Sequence, residues 1–282
     1  MPTYSLRFII PNSAIQTFTV HRGHFMFTPL IPIAIDSIYD GKPLPKRMAH
    51  CTPDMYAAIF ATKADLQAQH GDLVLSDLFR SYDMQFQAHL DYTSGKKKAF
   101  SPPPGGSMHE AGRAFDLDLD KIKKLTLPKF WPLAKARGLS PIIDKPDPKL
   151  SEAWHFDCRG SHDLVYQYYA AGHGDNFKSA YTAMAASAIV SVGQKVDALG
   201  EDVRPAYIQS ALIRLGQKIG DLDGSIGPQS RTGLTNLGIN PALELDALVD
   251  AVGKALEKKF PQEFFIPGAV IDHGPVPAHL VS

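Results

Sequence analysis

Near residue 175 the chain changes its periodicity, and that change limits the folds open to it. Before it, strand-like and helix-like runs alternate irregularly. "YSLRFII" alternates as a strand does. "TPDMYAAIFATKADLQAQH" opens with Thr52 as an N-cap and Pro53 at the first helical position, a strong helix start. "DLVLSDLF" reads as a strand and "YDMQFQAHLDY" as a helix. "TSGKKKAFSPPPGGS" is a loop by its lysines, prolines and paired glycines. "RAFDLDL" has period two and reads as a strand. "FWPLAKARG" is a short helix closed by Gly138, and "EAWHFD" is another short strand. After residue 175, "NFKSAYTAMAASAIVSVGQKVDALG", "RPAYIQSALIRLGQKIG" and "PALELDALVDAVGKALEKKF" carry helical stripes and no strand pattern. The expected fold is α+β over residues 1–175, an antiparallel sheet with packed helices, followed by an all-helical domain over residues 176–282. The proline-rich tail is expected to lie extended over the surface.

With 282 residues, 44% of them hydrophobic, the chain can bury a sizeable core in one or two domains. Lys+Arg and Asp+Glu balance at 29 each, so nothing global argues for nucleic acid or an anionic membrane. The longest apolar run, "FMFTPLIPIAI", is short and holds two prolines, which excludes a membrane span there. The N-terminus has no long apolar core and no small-residue cleavage site, so either a chain that starts in the cytoplasm or one whose export signal has been removed is expected. Cys51 and Cys158 are too few for a disulfide framework or a four-cysteine zinc site. They read as two buried thiols, with a single disulfide as the alternative.

The stretch "GGSMHEAGRAFDLDLD" carries chemistry. His109 and Glu110 begin like the helix motif HExxH, but position 113 is Arg. Glu110 is therefore read as a solvated loop residue. On a strand, Asp116, Asp118 and Asp120 share one face while Leu117 and Leu119 take the core. A second segment, "SEAWHFDCRG", places Glu152 three residues before His155, next to Trp154. His109, Asp116 and His155 together make two imidazoles and a carboxylate, with Glu152 to spare. Catalytic zinc takes three protein ligands, leaves a position for water, and works with a base that does not bind the metal. The set supplies each part once.

The ordered pattern SxHxxGxAxD, then ExWH, resembles the zinc D,D-peptidases of the VanY and D-alanyl-D-alanine carboxypeptidase type (peptidase family M15), which also include phage endolysins cutting L-alanyl-D-glutamate bonds. The first half stands here as Ser107, His109, Gly112, Ala114 and Asp116, the second as Glu152, Trp154 and His155. The resemblance covers roughly residues 70 to 160. It implies a hedgehog/D,D-peptidase type of fold, Zn2+ bound by His109, Asp116 and His155, and Glu152 as catalytic base. In "LFRSYDMQ", Arg80 matches the family's arginine, with Phe79 before it and Gln85 five residues later. Ser107, Gln85 and Trp154 are expected to face substrate, while Asp118 and Asp120 have no support from the motif.

The segment "YIQSALIRLGQKIGDLDGSIGPQSRTGL" resembles small peptidoglycan-binding domains through Gln209, Leu212, Leu215, Gly216, Asp223, Gly224, Ile226, Gly227, Pro228 and Thr232. Asp-Gly makes a turn and Gly-Pro starts the next helix. "GLTNLGIN" departs from the family, which continues with an aromatic-glutamine pair. A helical bundle that only packs on the catalytic domain is the alternative. The two resemblances imply a monomeric zinc peptidase acting on peptidoglycan stem peptides, of phage-endolysin type, cytoplasmic until release and then acting at the cell wall. The alternatives are a D,D-carboxypeptidase of wall metabolism and a non-catalytic zinc-containing wall binder. Keeping Glu152 beside all three ligand candidates argues against the last.

Overall fold

The computed structural model describes residues 27–123 and 125–266. The strand expected in "YSLRFII" and most of the proline-rich tail lie outside the described residues. A minimal pairing, β1 (Ile31–Pro32) with β2 (His50–Cys51), precedes α1 (Pro53–Gln67). Then come β3 (Leu75–Asp77), α2 (Tyr82–Thr93), a 3-10 turn (Met108–Ala111), β4 (Ala114–Leu117), α3 (Leu127–Ala136), β5 (Leu139–Pro141) and β6 (His155–Cys158). The remaining helices are α4 (Asp163–Ala170), α5 (Ala180–Ser191), α6 (Val203–Arg214), α7 (Pro228–Asn236) and α8 (Leu245–Lys259). The fold is α+β. Its four-stranded sheet runs β3-β4-β6-β5, antiparallel throughout, and no strand follows Cys158 among the described residues.

Local chemistry explains the element ends. Thr52 is extended and Pro53 opens α1, but the Thr52 hydroxyl bonds Asp54 at 2.7 Å instead of capping the helix. β4 is shorter than the period-two pattern predicts. Asp118 leaves the ladder and its carboxylate accepts from the Asp120 amide at 3.0 Å, starting a 3-10 turn. The three-aspartate face therefore ends at Asp116. Phe115, Phe156 and Phe130 fill the sheet core, with ring centroids 5.9 and 5.1 Å apart for the two contacts. Cys51 and Cys158 are buried free thiols.

α5 is apolar nearly all round, and every residue from Ala183 to Ser191 is buried. Such a helix belongs inside a protein. It packs with α4 and α6, and the apolar cluster they share with α8 also takes in Met108, Ala111 and Ala114. The core thus runs across the change of periodicity at residue 175. A buried ionic group accompanies it. Arg113 meets Asp54 at 2.7 Å and Glu263 at 3.5 Å, and Arg214 also pairs with Glu263. Between α6 and α7, the Gln209 amide donates to the Asp223 carboxylate at 2.8 Å and accepts from the Gly224 N–H at 2.7 Å. The glutamine of the second resemblance is therefore the residue that shapes its Asp-Gly turn.

Candidate metal centre

Asp116 and His155 face each other directly across β4 and β6. Antiparallel partners hold their Cβ atoms about 4.5–5.5 Å apart, so register alone brings this imidazole to this carboxylate. His109 arrives from the 3-10 turn before β4. Ser107 caps that turn, its Oγ accepting from the His109 amide at 3.3 Å. Glu110 reaches back to accept from the Gly105 N–H at 3.0 Å and the Ser107 N–H at 3.2 Å, completing a capping box. Gly112 closes the turn at φ 62°. A Cβ there would lie 2.7 Å from Leu30 Cδ2 and 3.0 Å from the Cys51 Cα, so only glycine fits.

Glu110 is accordingly not the solvated loop residue expected of it. It is fully buried, and burial pushes its carboxyl up to about 7 against the lowering effect of the Gly105 and Ser107 donors. Its side chain is engaged with the backbone, away from the ligand cluster.

His109, Asp116 and His155 are all buried, with candidate ligand atoms within 4.8 Å of one another. The free nitrogens can be deduced. His109 Nδ1 lies 2.7 Å from the Leu78 carbonyl, which only accepts, so Nδ1 donates to it and Nε2 is the nitrogen turned into the cluster. That Nε2 points at Asp116 Oδ1, 3.3 Å away. His155 Nε2 lies 2.8 Å from Asp157 Oδ1, and its Nδ1 lies 3.0 Å from Asp116 Oδ1. An imidazole whose outer N–H is held by a carbonyl or carboxylate is the usual form of a metal-binding histidine. Both rings have it. The donor set fits a divalent cation of the zinc class, with nitrogen and carboxylate ligands. Electrostatics agree with a place for positive charge. Burial works to raise the Asp116 carboxyl, yet His109 and His155 hold it well below the usual carboxylate range. Burial works to lower His155, yet Asp157 and Asp116 push it up to about 10.

Arg80 leaves β3 just beyond the sheet and is held in place. Its Nε donates to Asp77 Oδ2 at 2.6 Å and a terminal nitrogen donates to Gln85 Oε1 at 3.1 Å. Its other terminal nitrogen lies 3.8 Å from Asp116 Oδ2. Gln85 does not face the cavity as expected. It is fully buried, and its amide also donates to Ser101 Oγ at 3.1 Å and the Pro102 carbonyl at 2.6 Å. It therefore anchors Arg80 to the proline loop.

Glu152 sits in the turn before β6, not on the strand. Its φ is 67°, a left-handed conformation that costs a non-glycine residue about 1–3 kcal/mol. The His155 amide closes that turn on the Glu152 carbonyl at 3.0 Å. Burial, then the Asp116 charge, raises the Glu152 carboxyl. Glu152, Arg80, Ser107, Trp154 and the three candidate ligands line one cavity of about 440 Å³. Lys97, Phe100, Ile142, Ser179, Tyr181 and Thr182 also line it. Asp157 was legible in principle, as a carboxylate two residues after His155 on the same strand face. Nothing in the sequence ties Tyr181 to the site. Burial, then Asp157, raises its phenol.

No family model matches the chain, and no curated protein matches it. Among solved structures, that of the LdcB LD-carboxypeptidase, described as revealing the molecular basis of peptidoglycan recognition, aligns with a TM-score of 0.36 at 16% identity. The alignment spans 45% of this chain and 66% of that one, too distant a likeness to fix fold or activity. Among the described residues no helix is long and apolar enough to cross a membrane.

Proposed function

We propose that this chain is a zinc-dependent peptidase that hydrolyses peptide bonds in peptidoglycan stem peptides, in the manner of a phage endolysin. The observation that carries the reading is the convergence of His109 Nε2, Asp116 Oδ1 and His155 Nδ1, with the carboxylate of Glu152 lining the same cavity. In this reading residues 1–175 carry the chemistry and residues 176–282 hold the enzyme on the wall through the α6–α7 turn.

Zinc held by His109, Asp116 and His155 would supply Lewis acidity and make water a better nucleophile at neutral pH. Glu152 takes a proton from the attacking water and delivers it to the leaving amine. Its raised pKa suits both halves of that transfer. Arg80 stays protonated, and its fixed guanidinium stabilises the developing oxyanion. Asp157 and the Leu78 carbonyl keep the two imidazoles turned inward. Trp154 and Phe100 wall off solvent on the cavity sides.

A second reading, a D,D-carboxypeptidase, is favoured by Lys97 on the cavity wall, since a second cation beside Arg80 suits a free substrate carboxylate. Incubation of the purified protein with cell walls, with and without chelator, tests both. Chelator-sensitive release of stem-peptide fragments is expected, and mass spectrometry of the fragments names the bond. Loss of a single terminal residue selects the carboxypeptidase. No cleavage by zinc-loaded protein overturns both and leaves a wall binder.

A further inference from the structure

We infer that Gln194, in the segment that follows α5, is a positioning residue that locks the Arg80 and His109 segments together, making the helical half a working part of the catalytic unit. The inference rests on the peptidase reading above and deepens it.

Arg80 and His109 come from different places in the chain, one past the end of β3 and one in the turn before β4. The β3–β4 ladder reaches only to Asp77 and Asp116, and beyond it the two segments are joined by the Arg80 amide donating to the His109 carbonyl at 3.1 Å and by His109 Nδ1 donating to the Leu78 carbonyl at 2.7 Å. The Gln194 carboxamide sits on this joint. Its Oε1 accepts from the Tyr82 amide at 3.1 Å. Its Nε2 donates to the Glu110 carbonyl, the peptide group next after His109, and reaches the Arg80 carbonyl at 3.5 Å. The orientation is forced, because an amide N–H only donates and a carbonyl only accepts. Tyr82 is the first residue of α2, where the N–H has no partner inside the helix, so Gln194 also satisfies an orphan donor.

Two further contacts join the same elements. The Tyr82 hydroxyl donates to Asp197 at 2.7 Å, from the same segment as Gln194. Met108 and Ala111, on either side of His109 and Glu110, are buried in one apolar cluster with α5. α5 itself brings Tyr181 and Thr182 to the cavity lining. A side chain that bonds both halves of the joint fixes the distance between the guanidinium and the ligand triad. Errors of about 1 Å in such a distance cost about 10²-fold in rate.

The test uses the full chain with Gln194→Ala and Gln194→Met, the latter keeping length and packing without the hydrogen bonds. Tyr169→Phe serves as a stability control. It removes bonds to Asn176 and the Leu222 amide and lines no part of the cavity. Zinc affinity is measured by chelator competition, kcat and KM on stem peptides, and Tm by calorimetry. Both Gln194 variants are expected to bind zinc about tenfold more weakly and to lose about tenfold in kcat with KM little changed, an effect of the size seen for groups that orient metal ligands. Tyr169→Phe is expected to lower Tm alone. Wild-type zinc affinity and kcat in a folded Gln194→Met protein with lowered Tm would overturn the proposal, leaving a purely structural role. Should the wild-type protein cleave no stem peptide, the peptidase reading fails, and the zinc affinities still decide the role of Gln194.

Discussion

Asp157 stands two residues beyond His155 on β6, and its Oδ1 accepts from His155 Nε2 at 2.8 Å. Residues two apart on a strand share a face, so the ligand and the group that orients it come from one short run of sequence. Asp157→Ala is expected to weaken zinc binding about 10–100-fold, because His155 loses both its orientation and the charge that strengthens it as a donor. Asp157→Asn keeps an acceptor and should lose less. Chelator competition with wild-type protein alongside checks the order, and equal affinities would remove Asp157 from this role.

Glu152→Gln separates chemistry from binding. The amide keeps nearly the same volume and can still hydrogen-bond, but it cannot take a proton. Zinc content and folding should survive while wall hydrolysis falls about 10²–10⁴-fold. Asp116→Ala should lose zinc as well, since it removes a ligand and a compensating charge. Arg80→Ala should keep its zinc and lose about 10²–10³-fold in turnover, the range for one oxyanion donor. Metal analysis beside turnover distinguishes the three, and a Glu152→Gln protein without zinc would make Glu152 a ligand.

His162 gives the protein an acid limit. The ring is fully buried, with Nδ1 2.8 Å from Ser187 Oγ. Burial, then the charges of Arg214 and Arg113, holds its pKa well below the ordinary histidine value. A histidine with a lowered folded-state pKa binds fewer protons folded than unfolded. Its contribution is complete above about pH 6.5, the unfolded value, and is lost as the pH falls toward the folded value. Urea unfolding should show wild-type stability declining between pH 7.5 and 5.5 more steeply than that of His162→Gln. Parallel curves would refute the assignment.

Glu263 is fully buried between two guanidiniums, pairing with Arg214, lying 3.5 Å from Arg113 and accepting from the Ser161 amide at 2.8 Å. Glu263→Ala leaves those cations undercompensated in a dry site. A loss of about 3–5 kcal/mol in unfolding free energy is expected, the cost of breaking a buried pair from one side. Denaturant titration measures it, and a loss below about 1 kcal/mol would mean that water enters the network.

The sequence by itself determined the donor set and most of the elements, though not α4 or the β1–β2 pairing. Thr52-Pro53 marked the start of α1, and the period-two run "RAFDLDL" marked β4, although the strand stops at Leu117. The spacing of Ser107, His109 and Gly112 contained the turn that presents the first imidazole, because cap, ligand and left-handed exit are all local. Only the tertiary structure decided what those donors meet. Cross-strand register put Asp116 opposite His155, burial turned Glu110 from a solvated residue into a cap and Gln85 from a substrate contact into an anchor, and α5 brought Tyr181 to the cavity. These outcomes depend on contacts between residues far apart in the chain. Local propensity and spacing report what a segment can form, and long-range packing sets which face it shows and to which partner.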